Sequence, residues 1–212
     1  MSHEDRLDEI EKEKYEQVWS HPQYRQWSPG ADEHATAFDM FQQATIYKPE
    51  DKTTVCDYGC GEGWSVQFFN DQGYKAWGVE HAKNAVRAAG ILVYEECLWK
   101  MSHLPDSDHA FCCDVMEHIP PHKVNLVLSQ IASKTRNQAY FRIAFVDDNF
   151  GPTLLKKPLH LTVEKTKFWI FTLNRHWGYV KPLVQRSGYG TFICADPISR
   201  RDELENTPME SA

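Results

Sequence analysis

The stretch VCDYGCGEG, residues 55–63, decides the fold class of this chain. Residues 53–56 supply β-branched and apolar side chains for a buried strand. Residues 64–70 can form a helix whose apolar face includes Phe68 and Phe69. Between strand and helix, glycine at every second position lets the backbone approach a ligand with no Cβ in the way. The stretch therefore predicts a strand–turn–helix unit with a ligand site at its turn.

The chemistry around this turn indicates what kind of ligand it binds. A glycine turn before a helix places backbone N–H groups and a positive helix end beside the ligand. The dinucleotide pattern G-x-G-x-x-G does not fit, because counting from Gly59 its last position holds Trp64 and the third glycine comes early, at Gly63. Asp57, two residues before the first glycine, would repel phosphate and attract an ammonium group. An amino-acid-like ligand fits this turn better than a pyrophosphate.

A second acidic position indicates the other end of the ligand. Glu80 lies nineteen residues after Gly61, at the end of the apolar run 76–79. An acid at the tip of a second strand can accept hydrogen bonds from both hydroxyls of a ribose. A ligand with a cationic, amino-acid-like end and a nucleoside end has the shape of S-adenosylmethionine. This molecule is the expected cofactor.

Three segments, residues 57–63, 78–80 and 111–120, resemble the class I S-adenosylmethionine-dependent methyltransferases, in a branch common among small bacterial and phage enzymes. The third, FCCDVMEHIP, is similar to the D-x-V-x-E-H-(I/L/V)-P pattern of that family. The resemblance covers about residues 50–195. It implies a Rossmann-like α/β fold: a mostly parallel seven-stranded sheet with a C-terminal antiparallel hairpin and helices on both faces. It also implies methyl transfer to an oxygen or nitrogen atom.

The predicted cofactor contacts come from the glycine turn, the second-strand acid, the loops after the next strands and the N-terminal segment. They are Asp57, Gly59, Cys60, Gly61, Gly63, Glu80, His81, Leu98, Asp114 and Arg25. Arg25 is expected to form a bidentate pair with the carboxylate of the cofactor. Where the family carries an aspartate that meets the adenine, residues 95–99 read EECLW, so Glu96 is a candidate substitute and Trp99 can flank the ring.

The predicted acceptor side is the loop after the fourth strand, because ligands of open α/β sheets bind outside the carboxyl ends of the strands. His118, oriented by Glu117 or Asp114, is the predicted general base where the acceptor must lose a proton. The alternative is that these groups form only a polar network at a helix start. Tyr24 and His160 are the predicted substrate contacts, with a purely structural role as the alternative for His160. No metal is expected, since the neighbouring cysteines 112 and 113 point to opposite faces of a strand.

Composition narrows the class of protein. A chain of 212 residues with 42% hydrophobic and 13% aromatic residues fits one folded domain. Six irregularly spaced cysteines indicate reduced thiols. A net charge of −7 disfavours nucleic acid as a partner, although residues 134–186 carry ten Lys and Arg against three Asp and Glu. No apolar run approaches the length of a membrane span and the N-terminus is charged, so we expect a soluble cytoplasmic protein with no membrane partner.

We expect three regions: an N-terminal helical lid over residues 1–48, a cofactor-binding domain over residues 49–198 and a polar tail over residues 199–212. The N-terminal region is alternatively a contact in a homodimer. Further helices are predicted at residues 31–47, 81–89, 124–132 and 163–175, the last capped by Thr162, and further strands at residues 91–94, 110–113, 139–146, 179–185 and 189–195.

The sequence favours a small-molecule acceptor. Methylation of RNA or of a modified nucleotide, and a binding protein without turnover, are the alternatives. DNA methyltransferases that act on exocyclic amines carry an Asn/Asp-Pro-Pro-aromatic motif after the fourth strand. This chain has DVME there, at residues 114–117, and so lacks that motif. No Pro-Cys pair, the nucleophile motif of the C5 enzymes, occurs in the chain.

Overall fold

The computed structural model describes residues 3–26, 41, 53–88, 90–186 and 188–200. Its helices are α1 (His3–Ser20), α2 (Pro22–Gln26), α3 (Trp64–Asp71), α4 (Val124–Lys134), α5 (Phe150–Leu154) and α6 (Thr166–Leu173), with 3-10 turns at Met116–His118 and Ile198–Arg200. Its strands are β1 (Thr54–Tyr58), β2 (Lys75–Glu80), β3 (Leu92–Glu95), β4 (Ser107–Cys113), β5 (Thr135–Ala144), β6 (Trp177–Arg186) and β7 (Tyr189–Pro197).

All seven strands form one sheet in the order β3-β2-β1-β4-β5-β7-β6. The first five are parallel, whereas β7 runs antiparallel to both β5 and β6. The expected parallel sheet with a C-terminal antiparallel hairpin is therefore confirmed. After β1 the chain builds outward through β2 and β3, then returns to the other side of β1 as β4. This reversal opens a crevice outside the carboxyl ends of β1 and β4, where open α/β sheets bind ligands.

The central strands β1, β2 and β4 are buried on both faces, as the strands of parallel sheets covered by helices are. Successive residues of β4 alternate between two hydrophobic clusters. Ala110 and Cys112 pack with Trp169 of α6 on one face, and Phe111 and Cys113 pack on the other. All six cysteines are buried and free. None of the described helices is both long and apolar enough to span a bilayer.

The predicted helix over residues 81–89 is wrong for the described residues, which form only a turn and bends. The amides of Arg87 and Ala88 both donate to the carbonyl of Glu62, at 3.0 Å. A helix needs these amides for carbonyls four residues earlier in the same segment. The glycine turn therefore takes the hydrogen bonds that would have propagated the helix.

The predicted cap of the last helix is also wrong. Helix α6 begins at Thr166, with Lys165 at its N-cap position. The hydroxyl of Thr162 donates instead to the carbonyl of Ile119, at 2.6 Å, and is buried. Most of the predicted helix over residues 31–47 lies outside the described residues, but Phe41 is buried and contacts the ring of Phe69 at a centroid distance of 5.1 Å.

Close packing of β2 on the glycine turn generates the first prediction. A Cβ at Gly78 would lie 2.4 Å from the sulfur of Cys60 and 3.2 Å from Val66. Gly78→Ala should therefore lower the free energy of unfolding by about 1–3 kcal/mol, measured by urea denaturation. Adding Cys60→Ala removes the sulfur and should recover part of the loss, with Cys60→Ala alone as the control. A Gly78→Ala protein as stable as the wild type would contradict this packing.

Candidate active site

The turn between β1 and α3 has a left-handed backbone that only glycine adopts without strain. Gly59, Gly61 and Gly63 have φ of +78°, +52° and +86°. A Cβ at Gly59 would also lie 2.5 Å from the side chain of Val115, and one at Gly61 would lie 2.8 Å from the ring of Trp19. The turn is therefore a bare backbone surface with close neighbours on both sides.

Asp57 lies at the carboxyl end of β1 and is only 3% exposed. Burial raises the pKa of its carboxyl group to about 7, and a hydrogen bond from Ser65 opposes that shift. In the described part of the chain, no Lys or Arg side chain pairs with it. The residue lines a small cavity together with Gly59, Gly61 and Ser65. A buried acid in this position requires a cationic ligand to be stable in its charged form.

Glu80 lies at the tip of β2 and links that strand to the glycine turn. One of its carboxylate oxygens accepts the backbone N–H of Gly61 and the other accepts that of Ala82, both at 2.9 Å. Burial raises the pKa of Glu80, while these hydrogen bonds lower it. A carboxylate has about four acceptor sites, and the backbone of His81 occupies a third one, so Glu80 can still accept a hydroxyl of a ligand.

A second, larger cavity lies beside Glu80. Leu98 and Trp99 line it, as the sequence indicated for the adenine side. The indole N–H of Trp99 donates to a carboxylate oxygen of Asp8 in α1, at 2.5 Å. The two cavities adjoin, because their linings share four residues: Trp19, Tyr24, Gly59 and Asp114.

Asp114, after β4, borders both cavities and is held in a left-handed conformation with φ of +55°. Arg142 of β5 binds its carboxylate through two nitrogens, with N–O distances of 3.0 and 2.6 Å. Both side chains are largely buried. This paired acid is therefore neutralised within the protein, unlike Asp57.

Glu117, His118 and His160 come together at the far side of the larger cavity, and each offers a ligand atom within 4.8 Å of the others. Burial, and then the Asp114 carboxylate, raise the pKa of Glu117. Burial, and then His160, lower the pKa of His118 to about 3, so its ring is neutral at pH 7. The Nδ1 atom of His118 faces the carbonyl of Leu159 at 3.2 Å, so this carbonyl, and not Glu117 or Asp114, orients the ring.

Helix α1 covers the larger cavity with one face. Glu11, Tyr15 and Trp19, spaced four residues apart, line the cavity from this face. The helix is tied to the carboxyl edge of the sheet by Lys12, whose ammonium contacts Glu95 at 2.5 Å, and by Glu16, which accepts the backbone N–H of Lys83 at 2.8 Å. The N-terminal segment thus forms the outer wall of the cavity.

Arg25 of α2 links the end of the N-terminal segment to the glycine turn by hydrogen bonds. Its guanidinium donates to the carboxylate of Glu62 at 2.8 Å and to the carbonyls of Asn84 and Ala85, at 2.6 and 3.2 Å. Tyr24 packs edge-on against Trp19, with a centroid distance of 4.9 Å. The expected contact between Arg25 and the cofactor carboxylate stays a prediction.

Most of the predicted site residues converge. Those lining the two cavities are Tyr24, Asp57, Gly59, Cys60, Gly61, Glu80, His81, Leu98, Asp114 and His118. Gly63 lies under the turn as the N-cap of α3. Glu117 and His160 adjoin His118. Sequence reasoning missed Trp19. Glu11, Tyr15 and Trp19 follow one another at steps of four residues, and this spacing was a signal that all three share one helix face.

Comparison with known proteins gives the fold class. No protein-family model and no curated protein sequence matches the chain. Among solved structures, magnesium protoporphyrin IX methyltransferase (ChlM) from Synechocystis with bound SAH has a TM-score of 0.60 and 16% identity, over 91% of this chain and 96% of that one. DhpI in complex with SAH has a TM-score of 0.65 and 10% identity, over 89% and 96%.

A third similar structure is phosphoethanolamine N-methyltransferase 2 from Haemonchus contortus, in complex with S-adenosyl-L-methionine. Its TM-score is 0.59 at 10% identity, over 77% of this chain and 52% of that one. At such low sequence identity, structural similarity shows the fold alone. The chain has the class I S-adenosylmethionine-dependent methyltransferase fold.

The buried ion pair behind the cavities generates the second prediction. Arg142→Met removes the guanidinium that pairs with the largely buried Asp114 carboxylate, so it should cost about 3–5 kcal/mol of unfolding free energy. The matched control is Arg136→Met on the same strand. Arg136 forms a partly exposed ion pair with Asp108, with an N–O distance of 3.4 Å. Loss of this pair should lower the free energy of unfolding by about 1 kcal/mol or less. Equal losses in urea denaturation would show that burial does not distinguish the two pairs.

Proposed function

We propose that this chain binds S-adenosylmethionine and transfers its methyl group to an oxygen or nitrogen atom of a small-molecule acceptor. The observation that carries the proposal is the placement of two buried acids, Asp57 and Glu80, on two adjoining cavities around a bare glycine turn. Complexes of structurally similar enzymes with S-adenosylmethionine or SAH support the choice of cofactor.

The residues present fit that cofactor. Asp57 has no cationic partner in the described residues and would pair with the ammonium group of the methionine end. Glu80 would accept a hydrogen bond from a ribose hydroxyl at the acceptor site that the backbone leaves open. Leu98 and Trp99 provide an apolar wall for the adenine.

The bound cofactor supplies a methyl group on a sulfonium, which is both the electrophile and a good leaving group. The work of the chain is then to align the acceptor and to exclude water. His118 presents a neutral imidazole to the cavity, and Tyr15 lies beside it, with ring centroids 5.8 Å apart. These groups can hold an acceptor by hydrogen bonds, and a carboxylate oxygen of Glu117 lies within 4.8 Å of a ring nitrogen of His118.

We propose that the acceptor enters from the side of His118 and His160. The small cavity around Asp57 is filled by the methionine end in this arrangement, which leaves the space near His118 for the acceptor. Tyr24 lines both cavities and contacts Phe150 of α5 at a centroid distance of 5.0 Å, so it is placed to contact both ligands.

Helices α1 and α2 act as a lid in this proposal. Their aromatic residues Trp19 and Tyr24 lie against the glycine turn, and Arg25 ties the lid to Glu62. These contacts come mostly from side chains of one segment, so they can break and reform together. Entry of the cofactor then requires the segment to move away from Gly61.

Replacing the acid on the glycine turn tests cofactor binding. Asp57→Asn keeps the shape of the side chain but loses its charge, so the affinity for SAH should fall at least about thirtyfold, because a hydrogen bond to a charged group contributes about 2 kcal/mol or more. Calorimetry measures the Kd. Asp71→Asn, at the exposed end of α3, is the control and should bind as the wild type does. An unchanged Kd for Asp57→Asn would remove this residue from the site.

Cofactor binding should also depend on pH. The pKa of Asp57 is about 7 without ligand, so the carboxyl takes up a proton as the pH falls through that value and must release it to bind an ammonium group. The affinity for SAH should therefore fall about tenfold between pH 8 and pH 6. Asp57→Asn should show a flatter profile, since it has no proton to release. Equal pH profiles in the two proteins would assign the dependence to another group.

A further inference from the structure

We propose that Glu117, His118 and His160 bind a divalent first-row transition-metal ion at the acceptor side of the site. We call these three residues the acceptor-side triad. One ligand atom from each lies within 4.8 Å of the others, a separation that small side-chain movements can close onto one ion. They come from the turn after β4 and from the loop after α5, so the chain crosses the sheet between them.

The first argument is a buried oxygen without a hydrogen bond. The side chain of Glu117 is fully buried, and one of its oxygens accepts the backbone N–H of Ala144 at 3.1 Å. The other oxygen has no hydrogen-bond partner in the described part of the chain. A buried carboxylate oxygen left unpaired is costly. A bound cation beside that oxygen removes the cost, because it supplies the positive charge that the protein does not.

The second argument concerns the two imidazoles. The Nδ1 atom of His118 lies 3.2 Å from the carbonyl of Leu159, and that of His160 lies 2.6 Å from the carbonyl of Val146. A carbonyl only accepts, so each Nδ1 carries the proton. In the neutral ring this tautomer leaves the lone pair of Nε2 for a metal ion, and metal-binding histidines commonly donate their other nitrogen to a carbonyl in this way.

The third argument is that the backbone around the triad is held in place. The carbonyl of Glu117 accepts the N–H groups of Leu161 and Thr162, at 2.7 and 2.9 Å. The carboxylate of Asp148 accepts the N–H groups of Leu159 and His160, at 2.7 and 3.1 Å. These bonds hold the loop that carries His160 against the turn that carries Glu117 and His118. The backbone at the three ligands therefore needs little rearrangement when an ion binds.

The donor set selects the class of ion. Two imidazole nitrogens and one carboxylate suit zinc, iron, cobalt or manganese, whereas magnesium and calcium prefer oxygen donors alone. Three protein ligands leave at least one coordination position open. Since His118 lines the larger cavity, that open position faces the space proposed for the acceptor.

An ion in this position would narrow the acceptor to an oxygen compound, a step that rests on the proposed function. An acceptor hydroxyl bound to the ion loses its proton to solvent more readily, as metal-bound water does. The resulting oxygen anion attacks the methyl carbon with a lone pair. The carbon–sulfur bond then breaks, and its electron pair stays on sulfur. No separate protein base is needed, so His118 serves as a ligand and not as a general base.

Cobalt binding to chelator-treated full-length protein tests the triad directly. Titration with Co²⁺ should give visible absorption bands of a nitrogen- and oxygen-bound ion, saturating at one ion per chain, and Zn²⁺ should displace it. His160→Ala should weaken binding at least about a hundredfold, because it removes one ligand outright. Glu117→Gln should weaken it as well. His160 is only partly buried, so its variant tests the proposal even if the Glu117 variant fails to fold.

A matched control is His122→Ala, an exposed histidine four residues after His118 that should leave cobalt binding unchanged. Absence of cobalt binding, or equal binding by wild type and His160→Ala, would overturn the proposed metal site. Calorimetry with SAH on the same samples separates this result from the proposed function. Cobalt binding without SAH binding would support the metal site and contradict the proposed cofactor. SAH binding without cobalt binding would support the cofactor and contradict the metal site.

Discussion

Several carboxyl groups lie largely buried where the parallel strands end, and the structure depends on how each charge is compensated. Asp114 is paired with Arg142 through two short hydrogen bonds. Glu80 accepts two backbone N–H groups. Asp57 and Glu117 have no cationic partner among the residues that the structure describes, and burial raises the pKa of both. Concentrated negative charge in a buried region stays ionised only where ligands bring the missing positive charge.

This distribution divides the site along its length. Near β1 the uncompensated acid is Asp57, beside the glycine turn and the smaller cavity. Near β4 it is Glu117, beside the imidazole rings of His118 and His160. The paired Asp114 lies between and borders both cavities, so it separates the two regions without attracting a cation itself. In the proposed function the ammonium of the cofactor compensates Asp57, and in the further proposal a metal ion compensates Glu117.

The N-terminal helices complete the site without belonging to the sheet. Their face with Glu11, Tyr15 and Trp19 closes the larger cavity, while Arg25 binds the carboxylate of Glu62 beside the turn. The close approach of Trp19 to Gly61 means that a side chain at that glycine would collide with the indole ring. The glycine turn is therefore shaped by two demands, a left-handed backbone and contact with the covering helix.

The sequence by itself determined the strand–turn–helix unit and the acids Asp57 and Glu80 at the strand ends, because alternation of side chains and left-handed glycine turns are local properties. Only the tertiary structure decided which side chains from distant parts of the chain contact one another at the site. His160 lies beside His118 because Asp148 and the carbonyl of Glu117 hold its loop, contacts between residues far apart in the chain. The described residues 81–88 of the predicted helix form a turn and bends for the same reason. Long-range hydrogen bonds there outweigh the local preference, and no periodicity in the sequence reports them.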